Sequence, residues 1–124
     1  MKILFKPQTE WLPPQDFRDL SKYDEIAIDL ETKDPNLNKR MGSGSVVGEG
    51  EVVGISLATQ DWCAYYPIAH EGGGNMDRKM VLKWLQDQLN TPATKIFHNA
   101  MYDVCWLRAL GLKTVSYTHL RAHE

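Results

Sequence analysis

Apolar and polar residues alternate along short stretches of this 124-residue chain, and the alternation predicts β-strands. The segment 24–32 contains the β-branched residues Ile26 and Ile28 and then two acids, Asp29 and Glu31, with one residue between them. Strand geometry places both carboxylates on the same side of the sheet, with roughly 6.5 to 7 Å between their Cα atoms. We therefore predict a first strand that ends in a pair of acids.

Two further β-rich runs, 51–59 and 62–68, are separated only by Gln60 and Asp61. This spacing predicts a hairpin, which together with the first strand makes three antiparallel strands. Pro67 cannot donate a backbone hydrogen bond, so its strand is expected at the edge of the sheet or to end there.

A helical spacing of apolar residues follows the hairpin. We expect Asn75 to cap this helix, Asp77 to lie in its first turn, and the helix to end near Asn90 and Pro92. Its apolar face is formed by Val81, Leu82, Leu85 and Leu89.

The short run from Lys95 to His98 predicts a fourth strand, which a right-handed crossover would place parallel to the first. Asn99 is expected to cap a second helix, and Gly111 to terminate it. The residues expected to face the sheet are Met101, Val104, Cys105 and Leu110. The predicted fold class is therefore α/β, with a mixed sheet and two helices.

Two glycine-rich segments each allow two interpretations. The segment 34–50 is either a loop that borders a substrate groove or a plain connection. The segment 70–75 contains three consecutive glycines, which suit either a phosphate cradle or a flexible entry to the next helix. It lacks the Gly-Lys-Ser/Thr ending of a P-loop, which favours the flexible entry.

The composition fits one globular domain, since 43% of the residues are hydrophobic and 24% are charged. A formal net charge of -2 argues against binding duplex DNA through a basic surface, but not against a nuclease that contacts phosphate through metal ions. No apolar run approaches the roughly 18 residues of a membrane span. We expect a cytoplasmic protein without a membrane partner, and the isolated Cys63 and Cys105 predict no disulfide or zinc site.

A third acid is expected near the first two. Asp103 lies four residues after Asn99, and helical side chains lean toward the helix N-terminus, so Asp103 should point to the strand end that carries Asp29 and Glu31. Three converging acids are suited to two Mg²⁺ or Mn²⁺ ions about 3.5 to 4 Å apart, which orient water for attack on a phosphodiester.

Two motifs in these segments resemble a known family. Asp29-Leu30-Glu31-Thr32 and His98-Asn99-Ala100-Met101-Tyr102-Asp103 are similar to the first and second motifs of the DEDD, or DnaQ-like, 3′-5′ exonucleases. The similarity is greatest to the proofreading domain of family A, polymerase I-like DNA polymerases, especially those of bacteriophages, and it spans residues 11–114. It implies a ribonuclease H-like fold.

The resemblance also implies roles for the acids. Asp29 would bridge two divalent cations, Mg²⁺ or Mn²⁺, Glu31 would complete the first cation site, and Asp103 would hold the second, partly through water. The implied partner is the 3′ end of single-stranded DNA, with a fused polymerase domain in the complete protein. The implied location is the cytoplasm of a bacterial cell or of a phage-infected host.

Four neighbouring residues are candidates for substrate binding by the same resemblance. Asn99 would contact the substrate near its 3′ end, and Leu30 and Thr32 would line the pocket for the terminal nucleotide, mainly through apolar and backbone contacts. His98 would orient Asp103 or the substrate, although a buried histidine with a purely structural role is the favoured interpretation.

The sequence departs from the family pattern after Asp103. The family's third motif, Tyr-x-x-x-Asp or His-x-x-x-Asp, has no match, and the only acid downstream is Glu124. Residues 115–124 equal, residue for residue, one translation of a transposase adapter used in sequencing libraries. We therefore expect a partial exonuclease domain in 1–114, a non-native tail without a designed fold in 115–124, a missing C-terminal part of the fold and impaired activity.

Two alternatives remain within this fold. A ribonuclease D-like exonuclease that acts on RNA shares the same acids. A domain that only binds nucleic acid, without catalysis, would also retain the fold.

Overall fold

The computed structural model describes residues 13–14, 17–35, 44–46, 48–114 and 117–119. Within these residues, the helices are α1 (Arg78–Leu89) and α2 (Ala100–Ala109), and one turn of 3₁₀ helix covers Gly44–Val46. The strands are β1 (Glu25–Lys33), β2 (Glu51–Thr59), β3 (Trp62–Pro67), β4 (Thr94–Phe97) and β5 (Tyr117–His119).

The strands form one mixed sheet in the order β3-β2-β1-β4-β5. β2 is antiparallel to both β1 and β3, whereas β4 is parallel to β1, as the sequence predicts. β3 lies at the edge of the sheet, which is where its Pro67 is tolerated. The predicted α/β architecture of three antiparallel strands, a helix, a parallel strand and a second helix is confirmed.

Strict alternation along β1 divides the sheet into two faces. Ile26, Ile28 and Leu30 are buried, while the residues between them are exposed. Leu30 pairs with Ile55, so the partners on β2 extend the same apolar face. Both helices contribute to this core, for example through Trp84 of α1, whose ring centroid lies 4.6 Å from that of Tyr66. The opposite face, which carries the acids of β1, is left open by the helices.

The start of α1 differs from the prediction. Asp77, not Asn75, is the cap, and its carboxylate accepts a hydrogen bond from the Met80 N–H at 3.2 Å. Asn75 instead bonds to the backbone of His70, accepting from its N–H at 2.7 Å and donating to its carbonyl at 2.9 Å. Asn and Asp are equally good caps, so a local loop contact decided between them. The helix ends at Leu89 and Asn90 is its C-terminal cap, in agreement with the prediction of an end near Asn90.

Helix α2 has the predicted cap but a different buried face. Asn99 accepts from the Tyr102 N–H at 3.3 Å, and Gly111 follows the helix with φ of 86°. Met101, predicted to face the sheet, is 82% exposed. Apolar residues occur all around this helix, so their spacing alone selects no face. The buried residues are Ala100, Asp103, Trp106 and Leu107.

The strand β5 was not predicted. Tyr117–His119 pair in parallel with β4, so the expectation that 115–124 has no fold is wrong for these three residues. The non-native origin of the tail and a missing C-terminal part of the fold stay predictions. The other residues of the tail, 115–116 and 120–124, and residues 36–43 and 47 of the segment 34–50 lie outside the described residues. Within the described part, neither helix has the length and apolar character needed to cross a bilayer.

Candidate functional site

The acid pair lies on the open face of the sheet, near the C-terminal end of β1. Asp29 and Glu31 are both exposed and are separated by the buried Leu30. Directly after Glu31 the pairing with β2 slips by one residue, so Glu31 is opposite Gly54 whereas Thr32 is opposite Val52. Such an irregularity bends a strand locally and re-aims its side chains, and here it follows the candidate site.

Asp103 is the buried member of the acid group, with a side chain only 3% exposed in the first turn of α2. Burial and the negative charge of Asp29 raise its pKa to about 6, against the opposing effects of the Asn99 backbone and of His98. Its Oδ2 atom is buried and has no hydrogen-bond partner. A buried carboxylate oxygen beside a second carboxylate is unfavourable unless a cation compensates it, so this donor set fits a divalent metal ion.

The acids do not by themselves form a compact metal cluster. Among the described residues, no group of three or more His, Cys, Asp or Glu side chains is arranged to hold a metal ion. Asp29 acts electrostatically on Asp103, whereas Glu31 is engaged by Tyr65, whose hydroxyl donates to its Oε2 at 2.7 Å. Glu31 is thus already oriented by a side chain of β3, whereas Asp29 and Asp103 interact through their charges.

His98 occupies an open position beside Asp29. Its side chain is exposed, so the favoured interpretation of a buried structural histidine is wrong. His98 follows Phe97, which pairs with Ile28 of β1, and this register brings the imidazole to the level of Asp29. Both residues line one shallow groove on the open face, together with Ser56 and Ala58 of β2.

The other three predicted substrate residues have distinct surroundings. Leu30 is 7% exposed and packs in the core, so a substrate contact at this position would come from its backbone. Asn99 is exposed, and its side-chain oxygen is engaged in the helix cap. The Thr32 hydroxyl lies 2.6 Å from that of Tyr102, which also donates to Asp34 at 3.2 Å. Tyr102 therefore ties α2 to the end of β1.

Sequence reasoning missed two residues at this site, Tyr65 and His70. The Tyr65 hydroxyl contacts both Glu31 and the His70 Nε2, and burial together with Glu31 raises the tyrosine pKa well above its usual value. The available signal was the hairpin register, because Tyr65 pairs with Ser56 and Ser56 with Asp29, which places all three on one face.

Comparison with known proteins identifies relatives of this chain. It is 33% identical over 110 residues to a DNA-directed DNA polymerase of Pseudomonas phage M6, a match that covers 85% of this chain and 16% of the phage protein. The chain thus spans about one sixth of the length of that relative. No family model matches the chain.

Solved structures show the same fold. The catalytic core of RRP6 from Trypanosoma brucei superposes with a TM-score of 0.56 at 20% identity, over 78% of this chain and 23% of that one. NrnC from Brucella melitensis gives a TM-score of 0.51 at 21% identity, over 82% and 43% of the two chains. NrnC with bound Mg²⁺ gives 0.51 at 18% identity, over 87% and 46%. These neighbours share the ribonuclease H-like exonuclease fold.

Proposed function

We propose that this chain is a metal-dependent 3′-5′ exonuclease domain. Its fold is that of the solved structures described above, and its sequence is related to part of a phage DNA polymerase. Its substrate would be the 3′ end of single-stranded DNA, and the reaction would hydrolyse the terminal phosphodiester bond. The observation that carries this proposal is the buried, unpartnered Oδ2 of Asp103 beside the charge of Asp29.

In this mechanism, Asp29, Glu31 and Asp103 would hold two divalent cations, Mg²⁺ or Mn²⁺. When bound, such cations supply an activated water and stabilise the leaving oxygen. Support for a divalent cation comes from the Mg²⁺-bound NrnC neighbour and from the donor chemistry of the acids. The chain carries three of the four acids of the family pattern, so we expect the 124-residue protein to be far less active than the complete gene product.

The remaining residues would orient the substrate. The open face of the sheet leaves Asp29 accessible to an incoming strand, and His98 lies beside it. Asn99 is exposed at the start of α2, and the N-terminus of a helix favours a phosphate oxygen. Tyr102 joins Thr32 to α2 and keeps the two motifs in a fixed relation.

The phage polymerase relative favours DNA over RNA and a fused polymerase domain in the complete protein. We infer a location in the cytoplasm of a bacterial cell or infected host, where such a polymerase would replicate DNA. The ribonuclease D-like and non-catalytic alternatives share the fold and are separated from this proposal by experiment.

The test uses the complete gene product and a 5′-labelled single-stranded DNA. We expect stepwise shortening from the 3′ end with Mg²⁺ or Mn²⁺, none with EDTA, and a loss of at least about 100-fold in Asp29→Ala. Activity that persists in Asp29→Ala contradicts the assignment of the site. Faster degradation of an RNA of the same sequence supports the ribonuclease D-like alternative, and binding without cleavage supports the non-catalytic one.

A further inference from the structure

Tyr65 reaches Glu31 across an intervening strand. Tyr65 belongs to β3 and Glu31 to β1, and β2 lies between them. The residue of β2 opposite Glu31 is Gly54, and a Cβ atom at that position would lie 1.8 Å from the Tyr65 hydroxyl oxygen. The tyrosine therefore crosses the open face through the gap left by a missing side chain, and ends on the Glu31 carboxylate at 2.7 Å.

A loop after β3 supports the tyrosine from the other side. His70 places its Nε2 against the Tyr65 hydroxyl, and the two rings meet edge to face with centroids 5.8 Å apart. The backbone of His70 is fixed by two hydrogen bonds to Asn75. Glu71 of the same loop forms an ion pair with Lys33 of β1. The loop is thus attached to β1 beside the acid pair.

We propose that Tyr65 is a positioning residue that orients the Glu31 carboxylate toward a divalent cation, with His70 fixing the tyrosine. This inference rests on the proposed function, since it assigns Glu31 to a metal site. The tyrosine hydroxyl donates to one oxygen of Glu31 and leaves the other oxygen available as a ligand. Hydrogen bonds to ligating carboxylates hold them in place, and their removal typically costs 10- to 100-fold in metal affinity.

The first test measures Mn²⁺ affinity of the full chain by calorimetry. Tyr65→Phe removes only the hydroxyl, and we expect it to weaken Mn²⁺ binding by about 10- to 100-fold. The matched control is Tyr23→Phe, because the Tyr23 hydroxyl also donates to a carboxylate, that of Asp61 at 2.5 Å. Equal affinities in Tyr65→Phe and the unmodified chain overturn the proposal.

A second variant moves the tyrosine without changing it. In Gly54→Ala the added methyl meets the far end of the Tyr65 side chain, which must swing away from Glu31. We expect the same loss of Mn²⁺ affinity as in Tyr65→Phe. The double variant should show no further loss, because both changes remove the same hydrogen bond between Tyr65 and Glu31. Independent, multiplicative losses overturn the proposal, and thermal melts check that each variant is folded.

A metal-free readout separates this inference from the proposed function. The ¹³Cδ resonance of Glu31 should shift in Tyr65→Phe but not in Tyr23→Phe, since only the former loses a hydrogen bond to that carboxylate. An unchanged resonance overturns the positioning role even where Mn²⁺ binds. A third result is also informative, in which the resonance shifts but the unmodified chain binds no Mn²⁺ and the complete gene product is inactive. That result would confirm the contact between Tyr65 and Glu31. It would contradict both the proposed function and the role of the contact in metal binding.

Discussion

Replacing Asp103 by Asn removes a buried negative charge while keeping the shape of the side chain. The pKa of Asp103 rises from 3.8 in its ordinary range to about 6 in the fold, because the side chain is buried near Asp29. Each unit of pKa difference corresponds to 1.36 kcal/mol, so ionised Asp103 disfavours folding by about 3 kcal/mol relative to its neutral form. Asp103→Asn should therefore be more stable than the unmodified chain at pH 8 by up to about 3 kcal/mol.

The pH dependence has a definite sign. A pKa raised in the fold means that the folded state binds more protons, so the stabilisation from protonated Asp103 is complete below pH 3.8 and is lost as the pH rises through 6. Between pH 8 and pH 5 the unmodified chain should regain about 1.4 kcal/mol from this group. The stability advantage of Asp103→Asn should shrink by that amount over the same interval.

Urea unfolding at pH 5 and pH 8, in EDTA, measures both quantities. Asp87→Asn serves as the control, because Asp87 is an exposed helical acid and its substitution should stay within about 0.5 kcal/mol. Adding Mg²⁺ at about 100 times its dissociation constant should stabilise the unmodified chain by about 2.7 kcal/mol, and Asp103→Asn much less. An Asn variant that is less stable at pH 8, or an advantage that does not change with pH, refutes this reasoning.

Two further substitutions test the packing around the site. Lys95 is fully buried, its amine donates to the Thr91 carbonyl, and burial lowers its pKa. Lys95→Met should therefore stabilise the chain at pH 6, and the gain in stability should shrink as the pH rises toward 10. A variant that is less stable in urea unfolding at pH 6 would contradict this prediction. Tyr102→Phe removes hydroxyl contacts to Thr32 and Asp34 and should cost about 1 to 2 kcal/mol in the same assay, so an unchanged midpoint would show that these contacts do not tie α2 to β1.

Strands β1 to β4 and their order could be predicted, because alternation is a local signal and because a short hairpin and a right-handed crossover determine which strands are neighbours. The residues of β1 alternate between buried and exposed, so the side of the sheet that carries Asp29 followed from spacing alone. Helix α2 shows the limit of this approach. Met101 and Trp106 are both large and apolar, yet the first is 82% exposed and the second 3%, because tertiary packing selects the face.

The site residues also differ in whether local spacing or tertiary packing determines their position. Asp103 was predictable because its position relative to Asn99 is fixed by one turn of helix. The contact of Tyr65 with Glu31 joins residues 34 positions apart and depends on a strand register and on the absence of a side chain at Gly54. No local spacing encodes such a contact, although a glycine inside a strand indicates that another group approaches closely.

The buried Asp103 gives the strongest link between stability and function in this fold. The core would be more stable with a neutral residue there, since the unpartnered oxygen and the nearby Asp29 both oppose ionisation. A packing role alone gives no reason for a charged group at a position that is 3% exposed. A cation bound at Asp103, as proposed, would remove both penalties, because it would partner the oxygen and offset the repulsion. The loss of stability caused by ionised Asp103 in the metal-free fold is thus what a bound cation would be expected to recover.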